Sequence, residues 1–253
     1  MQLETITGRH NPLLTHLRKL GASRAYRAAC GEYLCDGRKL LAEALRWDAP
    51  IRTLAASETT ELPPLPDSVR AVRISEELMR SVSPSETPQG VLFTAALPGA
   101  ALPDRLEGAR YLVLDGVQDP GNVGTILRTA DAFDCDGVLL LGGCADPYGP
   151  KTVRATMGAI FRERVWSCTA EELRTLLDAS ALPLYGAALR DDTEDARRVP
   201  LSRAAVAIGS EGRGLSDEVL RLCDRTIRIP MSGRCESLNA GVAASILLWE
   251  MYR

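Results

Sequence analysis

Three short segments hold the residues of this chain best suited to binding and chemistry. Gly209-Ser210-Glu211-Gly212-Arg213-Gly214-Leu215-Ser216 stands between an apolar run at 204–208 and a helical pattern at 215–222. It reads as a strand-to-helix turn whose glycines let backbone amides approach a ligand, with Ser216 as the cap of the following helix. Ile229-Pro230-Met231 offers an apolar rim, and Glu236-Ser237-Leu238-Asn239 a slot flanked by polar groups, a composition common to small-molecule pockets. Upstream, Asn122-Val123-Gly124-Thr125-Ile126-Leu127-Arg128-Thr129-Ala130 sets an amide and a guanidinium on one helical pattern. The lysine of a P-loop is missing after the glycine-rich turn, and no strand-to-helix turn carries G-x-G-x-x-G, so the two commonest nucleotide motifs are excluded.

These segments need elements to bring them together. From residue 109 onward, strand-like runs at 111–114, 137–141, 164–166, 184–189, 204–208 and 226–229 are separated by helical patterns at 121–133, 151–160, 170–177, from 216, and 237–251. Apolar strands alternating with helices predict a parallel sheet covered on both faces, with ligands at the carboxyl ends of its strands. All three segments begin there, after strands ending near Leu114, Ile208 and Ile229.

The first hundred residues form a separate pattern, with strands at 32–35, 51–55, 69–74 and 90–94 and helices at 12–20, 38–47 and 75–82. That is a smaller α/β domain. The aperiodic stretch Leu97-Pro98-Gly99-Ala100-Ala101-Leu102-Pro103-Asp104 marks a linker. The expected division is 1–96, a linker at 97–108, and 109–253.

Composition bounds the function classes. The chain has 253 residues, 45% hydrophobic and 25% charged, which are globular values. It has no apolar run long enough to cross a bilayer and no export signal, so a soluble cytoplasmic protein without a membrane partner is expected. Seven cysteines (Cys30, Cys35, Cys135, Cys144, Cys168, Cys223 and Cys235) are scattered with no C-x-x-C pair, which points to reduced thiols and to no metal site. The net charge of −3 conceals an asymmetry: no acid stands between Glu4 and Glu32, where Arg9, Arg18, Lys19, Arg24 and Arg27 occur. Such a stretch suits phosphate contacts, or it is an ordinary solvated helix face.

In that order along the chain, the three segments resemble the motifs of the SpoU-type RNA 2′-O-ribose methyltransferases of the SPOUT, or trefoil-knot, superfamily. Asn122, Gly124 and Arg128 match the first motif; Gly209, Glu211, Gly212 and Leu215 the second; Ile229, Pro230, Met231, Glu236, Ser237, Leu238 and Asn239 the third. Pro150-Lys151-Thr152-Val153-Arg154-Ala155-Thr156-Met157-Gly158-Ala159 resembles the segment that members carry between the first two motifs. The N-terminal half is similar to the ribosomal-protein-like substrate-binding domain of rRNA-directed members, most clearly in 6–12 and in Thr87-Pro88-Gln89-Gly90. Two departures stand out, Asp134 where members usually have glycine and Thr156 where they have serine.

The resemblance implies an α/β protein with a deep trefoil knot that binds S-adenosylmethionine through Gly209, Glu211, Gly212, Ile229, Pro230, Met231, Ser237, Leu238 and Asn239. It also implies RNA contacts by the N-terminal cations, Lys151 and Arg154, dimerisation through the knotted domain, and methylation of large-subunit rRNA. A tRNA substrate and a non-catalytic RNA-binding or ribosome-assembly role are the alternatives. Arg128, Asn122, Glu211 and Asn239 are the expected catalytic group. A guanidinium stays protonated near neutral pH, so Arg128 is expected to orient the target phosphate and stabilise the developing alkoxide.

Overall fold

The computed structural model describes residues 3–99, 101–190, 193–232 and 234–253. Met1, Gln2, Asp191, Asp192, Gly233 and Ala100 of the expected linker lie outside the described residues. The chain forms two compact units, Met1–Gly99 with Tyr148–Phe161, and Ala100–Pro147 with Arg162–Arg253.

The first unit is built on strands β1 (Glu4–Ile6), β2 (Glu32–Asp36), β3 (Ile51–Ser57), β4 (Arg70–Ile74) and β5 (Val91–Ala96). Their order is β1-β4-β3-β5-β2, parallel across β1, β4 and β3 and antiparallel across β3, β5 and β2. Helices α1 (Pro12–Ala22), α2 (Arg24–Cys30), α3 (Arg38–Arg46) and α4 (Glu76–Val82) flank it. Helix α1 starts where the Asn11 side chain accepts the Leu13 amide at 2.9 Å, with proline at its first position. Its Leu13, Leu14, Leu17 and Leu20 all turn inward to meet Val72, Ile74, Met79 and Leu92. Ser23 ends α1 and caps α2, and Gly31, at φ 64°, ends α2.

Helix α6 (Pro150–Thr156) and the turn after it belong to this unit. Tyr148 lies 5.1 Å from Tyr33, centroid to centroid, and Phe161 lies 6.3 Å from Phe93. Gly158 sits so close to Glu43 that an added Cβ would be 2.7 Å from the Glu43 Cβ. The helix expected over 151–160 stops at Thr156 because Met157 and Gly158 take φ values of 53° and 100°. Thr156 is buried, its hydroxyl donating to the Val153 carbonyl at 2.7 Å.

The second unit carries β6 (Arg110–Asp115), β7 (Gly137–Leu140), β8 (Val165–Ser167), β9 (Leu184–Ala187), β10 (Glu194–Asp195), β11 (Ala204–Gly209) and β12 (Arg225–Arg228). All neighbours pair in parallel, in the order β10-β12-β9-β11-β6-β7-β8. Its helices are α5 (Pro120–Ala132), α7 (Ala170–Ser180) and α8 (Asp217–Leu222) between strands and α9 (Ala240–Tyr252) after the last. The central strands are buried on both faces. One face packs Val113, Leu139, Ala205 and Ala207 against Leu173 and Leu177 of α7. Helix α5 lies against α9, with Thr129 and Ser245 hydroxyls 3.2 Å apart and Phe133 5.6 Å from Trp249. Asp134 follows α5 at φ 48°, a left-handed position that glycine occupies freely and that aspartate tolerates better than most residues.

Glu163 faces this corner of the second unit. Burial, reinforced by the nearby Asp131 and opposed by Arg162, pushes its carboxyl up to about 8, with Asp136 and Asp134 adding to the rise. Its Oε2 is buried without a hydrogen-bond partner among the described residues. The folded state therefore keeps a proton that the unfolded chain releases near pH 4.5, so stability is lost as pH rises from there to about 8. Denaturant unfolding should show wild type losing on the order of 1–3 kcal/mol relative to Glu163→Gln across that interval. Parallel pH profiles for the two proteins would contradict this assignment.

Candidate functional site

Strands β6 and β11 run in register from Arg110 opposite Ala204 to Asp115 opposite Gly209. Their carboxyl ends finish level, and the loops leaving them start side by side. After β11 the chain makes a tight hairpin in which the Ser210 amide donates to the Gly214 carbonyl at 3.1 Å and the Gly214 amide returns the bond at 2.9 Å. Gly214 takes φ 68°. At Gly209 an added Cβ would come within 2.0 Å of the Gly214 carbonyl carbon, so only glycine allows the hairpin to fold back so closely. The far side is held by Asp115, whose Oδ2 accepts the Ser216 amide at 2.7 Å, while the Ser216 hydroxyl caps α8.

Beside this hairpin lies a cavity of about 390 Å³ at the ends of β9, β11 and β12. Its walls are Ile208, Leu215, Ile227, Ile229 and Leu238, with Glu211, Arg213 and Ser237 as polar groups. An apolar slot with backbone amides and few polar side chains fits an adenosyl group. Of the expected cofactor residues, Gly209, Glu211, Ile229, Met231, Ser237 and Leu238 line the cavity; Gly212, Pro230 and Asn239 do not. Sequence reasoning missed Ala187, Ala188, Leu189 and Arg190, which form the wall after β9. The signal for them lies in β9 ending at the same carboxyl side of the sheet, but the continuous apolar run 184–189 predicts strand throughout.

The three motif segments converge on Asn122. Its Nδ2 donates to Glu211 Oε1, and its Oδ1 accepts from Asn239 Nδ2 at 3.1 Å. Asn239 Oδ1 accepts the Gly241 and Val242 amides at 2.9 and 3.2 Å, capping α9. Asp119 caps α5 by accepting the Asn122 amide at 2.8 Å. Glu211 thus grips Asn122. Arg128, further along α5, is exposed and makes no hydrogen bond or ion pair among the described residues, leaving its planar fork available to an anion.

The cations expected to contact RNA lie in the first unit. Arg9 pairs with Glu77, Arg18 donates to the Ser81 and Arg9 carbonyls, and the Lys19 ammonium sits 5.3 Å from the Tyr26 ring. Arg24, Lys151 and Arg154 are exposed, Arg154 donating to the Ser85 hydroxyl at 3.2 Å. Arg27 departs from the expectation. It is 5% exposed and donates to the Leu20 carbonyl, so it is spent on joining α2 to α1 and does not face an RNA. No group of three or more metal-ligating side chains occurs among the described residues.

Residues 109–249 match the family model described as the SpoU rRNA methylase family, and 11–93 match the MRM3-like substrate binding domain. The chain is 32% identical over 228 residues to the 23S rRNA (guanosine(2553)-2′-O)-methyltransferase RlmP of Bacillus subtilis, covering 89% of this chain and 90% of that one. It is 31% identical to the 23S rRNA (uridine(2479)-2′-O)-methyltransferase of Streptomyces viridochromogenes, over 98% and 91% of the two chains. The crystal structure of the SpoU methyltransferase AviRb from the same organism, in complex with AdoMet, superposes with a TM-score of 0.87 at 27% identity, over 96% and 98% of the chains.

The contrast between two glycines tests the cavity. Among the described residues Gly212 has nothing within 4 Å of an added Cβ, whereas Gly209 has backbone at 2.0 Å. Calorimetric titration with S-adenosylmethionine should show Gly209→Ala weakened by about tenfold or more, roughly 1.4 kcal/mol, and Gly212→Ala within about twofold of wild type. Equal effects would mean that the hairpin does not shape the pocket.

Proposed function

The chain belongs to the SpoU rRNA methylase family, and on that premise we propose that it transfers the methyl group of S-adenosylmethionine to a ribose 2′-hydroxyl of large-subunit rRNA. The observation that carries this reading is the bond pattern of Asn122, which ties the first motif to Glu211 of the second and Asn239 of the third. The cavity between β9, β11 and β12 lies at the hairpin that carries Glu211, and Arg128 is exposed on α5. The cofactor supplies an electrophilic methyl on a sulfonium. With the cofactor bound, the 2′-oxygen would form the new C–O bond as the C–S bond breaks, leaving S-adenosylhomocysteine, and its proton would pass to solvent water. Asn122, Glu211 and Asn239 fix the loops that border the cofactor and the first turns of α5 and α9. Arg128 donates to the phosphate beside the target ribose and stabilises the oxygen as negative charge develops. The first unit, which matches a substrate-binding domain over 11–93, supplies RNA affinity. We further propose that two copies associate through α9, supported by the outward-facing Val242, Ile246 and Trp249, the last 51% exposed, an unusual run of apolar surface for a solvated helix.

Arg128→Ala is expected to lower single-turnover methyl transfer by about 100-fold or more while S-adenosylmethionine affinity stays within about twofold. Arg128→Lys keeps the charge but loses the planar fork, and its transfer rate should fall nearly as far. A lysine variant with normal turnover would reduce the role of Arg128 to diffuse charge.

Sedimentation equilibrium should give a dimer for wild type and a monomer for Ile246→Glu/Trp249→Glu, since two carboxylates cannot be buried unpaired in an apolar contact. A monomeric, active wild type would remove α9 from the assembly.

A further inference from the structure

The first unit contains a groove that the transfer chemistry does not use. Arg38, at the start of α3, lines two adjoining cavities. One, about 550 Å³, is mainly apolar, running between Leu41, Ala42 and Leu45 of α3 and Pro63-Pro64 of the facing loop, with Arg46 and Glu61 at its border. The other, about 390 Å³, is polar, bordered by Ser57, Thr59, Thr60, Glu76 and Gln89.

The polar half is rigidly built. The Ser57 and Thr60 hydroxyls lie 2.8 Å apart, and Arg73 donates to the carbonyls of both residues. Gly90, at φ 77°, leaves so little space that an added Cβ would be 2.4 Å from Thr60 Oγ1. Thr59 donates to Glu76 at 3.0 Å. Hydroxyl bonds from Ser57 and Thr59 hold the Glu76 carboxyl below its usual range, so it is an acceptor at neutral pH. Arg38 donates to the Gln89 carbonyl and the Thr60 hydroxyl, each at 3.3 Å, and no carboxylate pairs with it among the described residues. A cation between an apolar slot and a rim of hydroxyls with one carboxylate matches the three parts of a ribonucleotide. A base stacks in the slot, a phosphate meets the guanidinium, and sugar hydroxyls donate to the exposed Glu76 and Thr59. Single-stranded RNA is read in this way, by unstacked bases and by the 2′-hydroxyl.

We propose that this groove seats one unpaired nucleotide of the RNA substrate, its base against α3 and Pro63-Pro64, its phosphate on Arg38, and its ribose at Thr59 and Glu76. The assignment rests on the RNA substrate proposed above and names a contact distinct from the α1 cations.

The test uses the full chain, with fluorescent oligouridine, the matching oligodeoxyuridine and an RNA duplex as probes. Wild type should bind the single-stranded RNA more tightly than the DNA. Arg38→Gln should weaken that binding about tenfold by removing a charged contact, and so should Ala42→Trp, which fills the slot from an exposed helix position. Glu76→Gln should narrow the preference for RNA over DNA, and 4-thiouridine in the probe should crosslink to residues 38–46 or 61–66. With rRNA as substrate, Arg38→Gln should raise KM and leave kcat unchanged. Unchanged affinities in both groove variants, or crosslinks confined to α1, would overturn the proposal. A wild type that binds oligouridine in the groove but methylates no rRNA would overturn the proposed function and leave the groove standing.

Discussion

The amide of Asn122 is the contact on which the second unit's working end depends. A carboxamide is both donor and acceptor, and here each half is used on a different loop, Nδ2 toward Glu211 and Oδ1 toward Asn239. Aspartate could keep the bond from Asn239 but would set its charge against Glu211. Leucine would keep the shape and lose both bonds. The geometry therefore demands this residue type, and it links segments 89 and 117 residues away in sequence.

That contact works because the strands beneath it end level. The register of β6 with β11 brings Asp115 beside Gly209, and the Asp115 carboxylate then reaches the Ser216 amide across the base of the hairpin. Backbone crowding at Gly209 and the left-handed turn at Gly214 keep the loop short. The cavity's apolar wall is the exposed end of the same core that holds the sheet together, since Leu215 belongs to both. Packing and ligand binding are here one set of side chains.

The parallel sheet was legible because its strands are continuous apolar runs, and the site because its glycines, amide and guanidinium fall where such strands end. What escaped had physical reasons. The three-residue β1 and two-residue β10 are too short to show a period. Helix α2 has only Arg27 buried, so it carries no apolar stripe, and the same burial took Arg27 out of the expected cationic face. The closing helix was expected from Ser237 but begins at Ala240, because the Asn239 side chain caps it. Asp134 occupies a left-handed backbone position that glycine would take without strain, so nothing in its residue type announces the turn. The place of 148–161 is set by ring contacts with Tyr33 and Phe93, more than 60 residues distant, which no local pattern records.

That last segment bears on how such a protein diversifies. The backbone passes from the first unit to the second after Gly99, returns at Tyr148 and leaves again after Phe161. A single crossover near residue 100, the simplest event that exchanges one RNA-recognition module for another, would leave the recipient with a borrowed β2 and β5 and its own α6, and the ring pairs at Tyr33 and Phe93 would have to match across two ancestries. Recombination at one boundary is thus penalised by the core itself. New target sites are more readily reached by substitutions on a retained first unit, such as those bordering Arg38, than by exchange of the whole module.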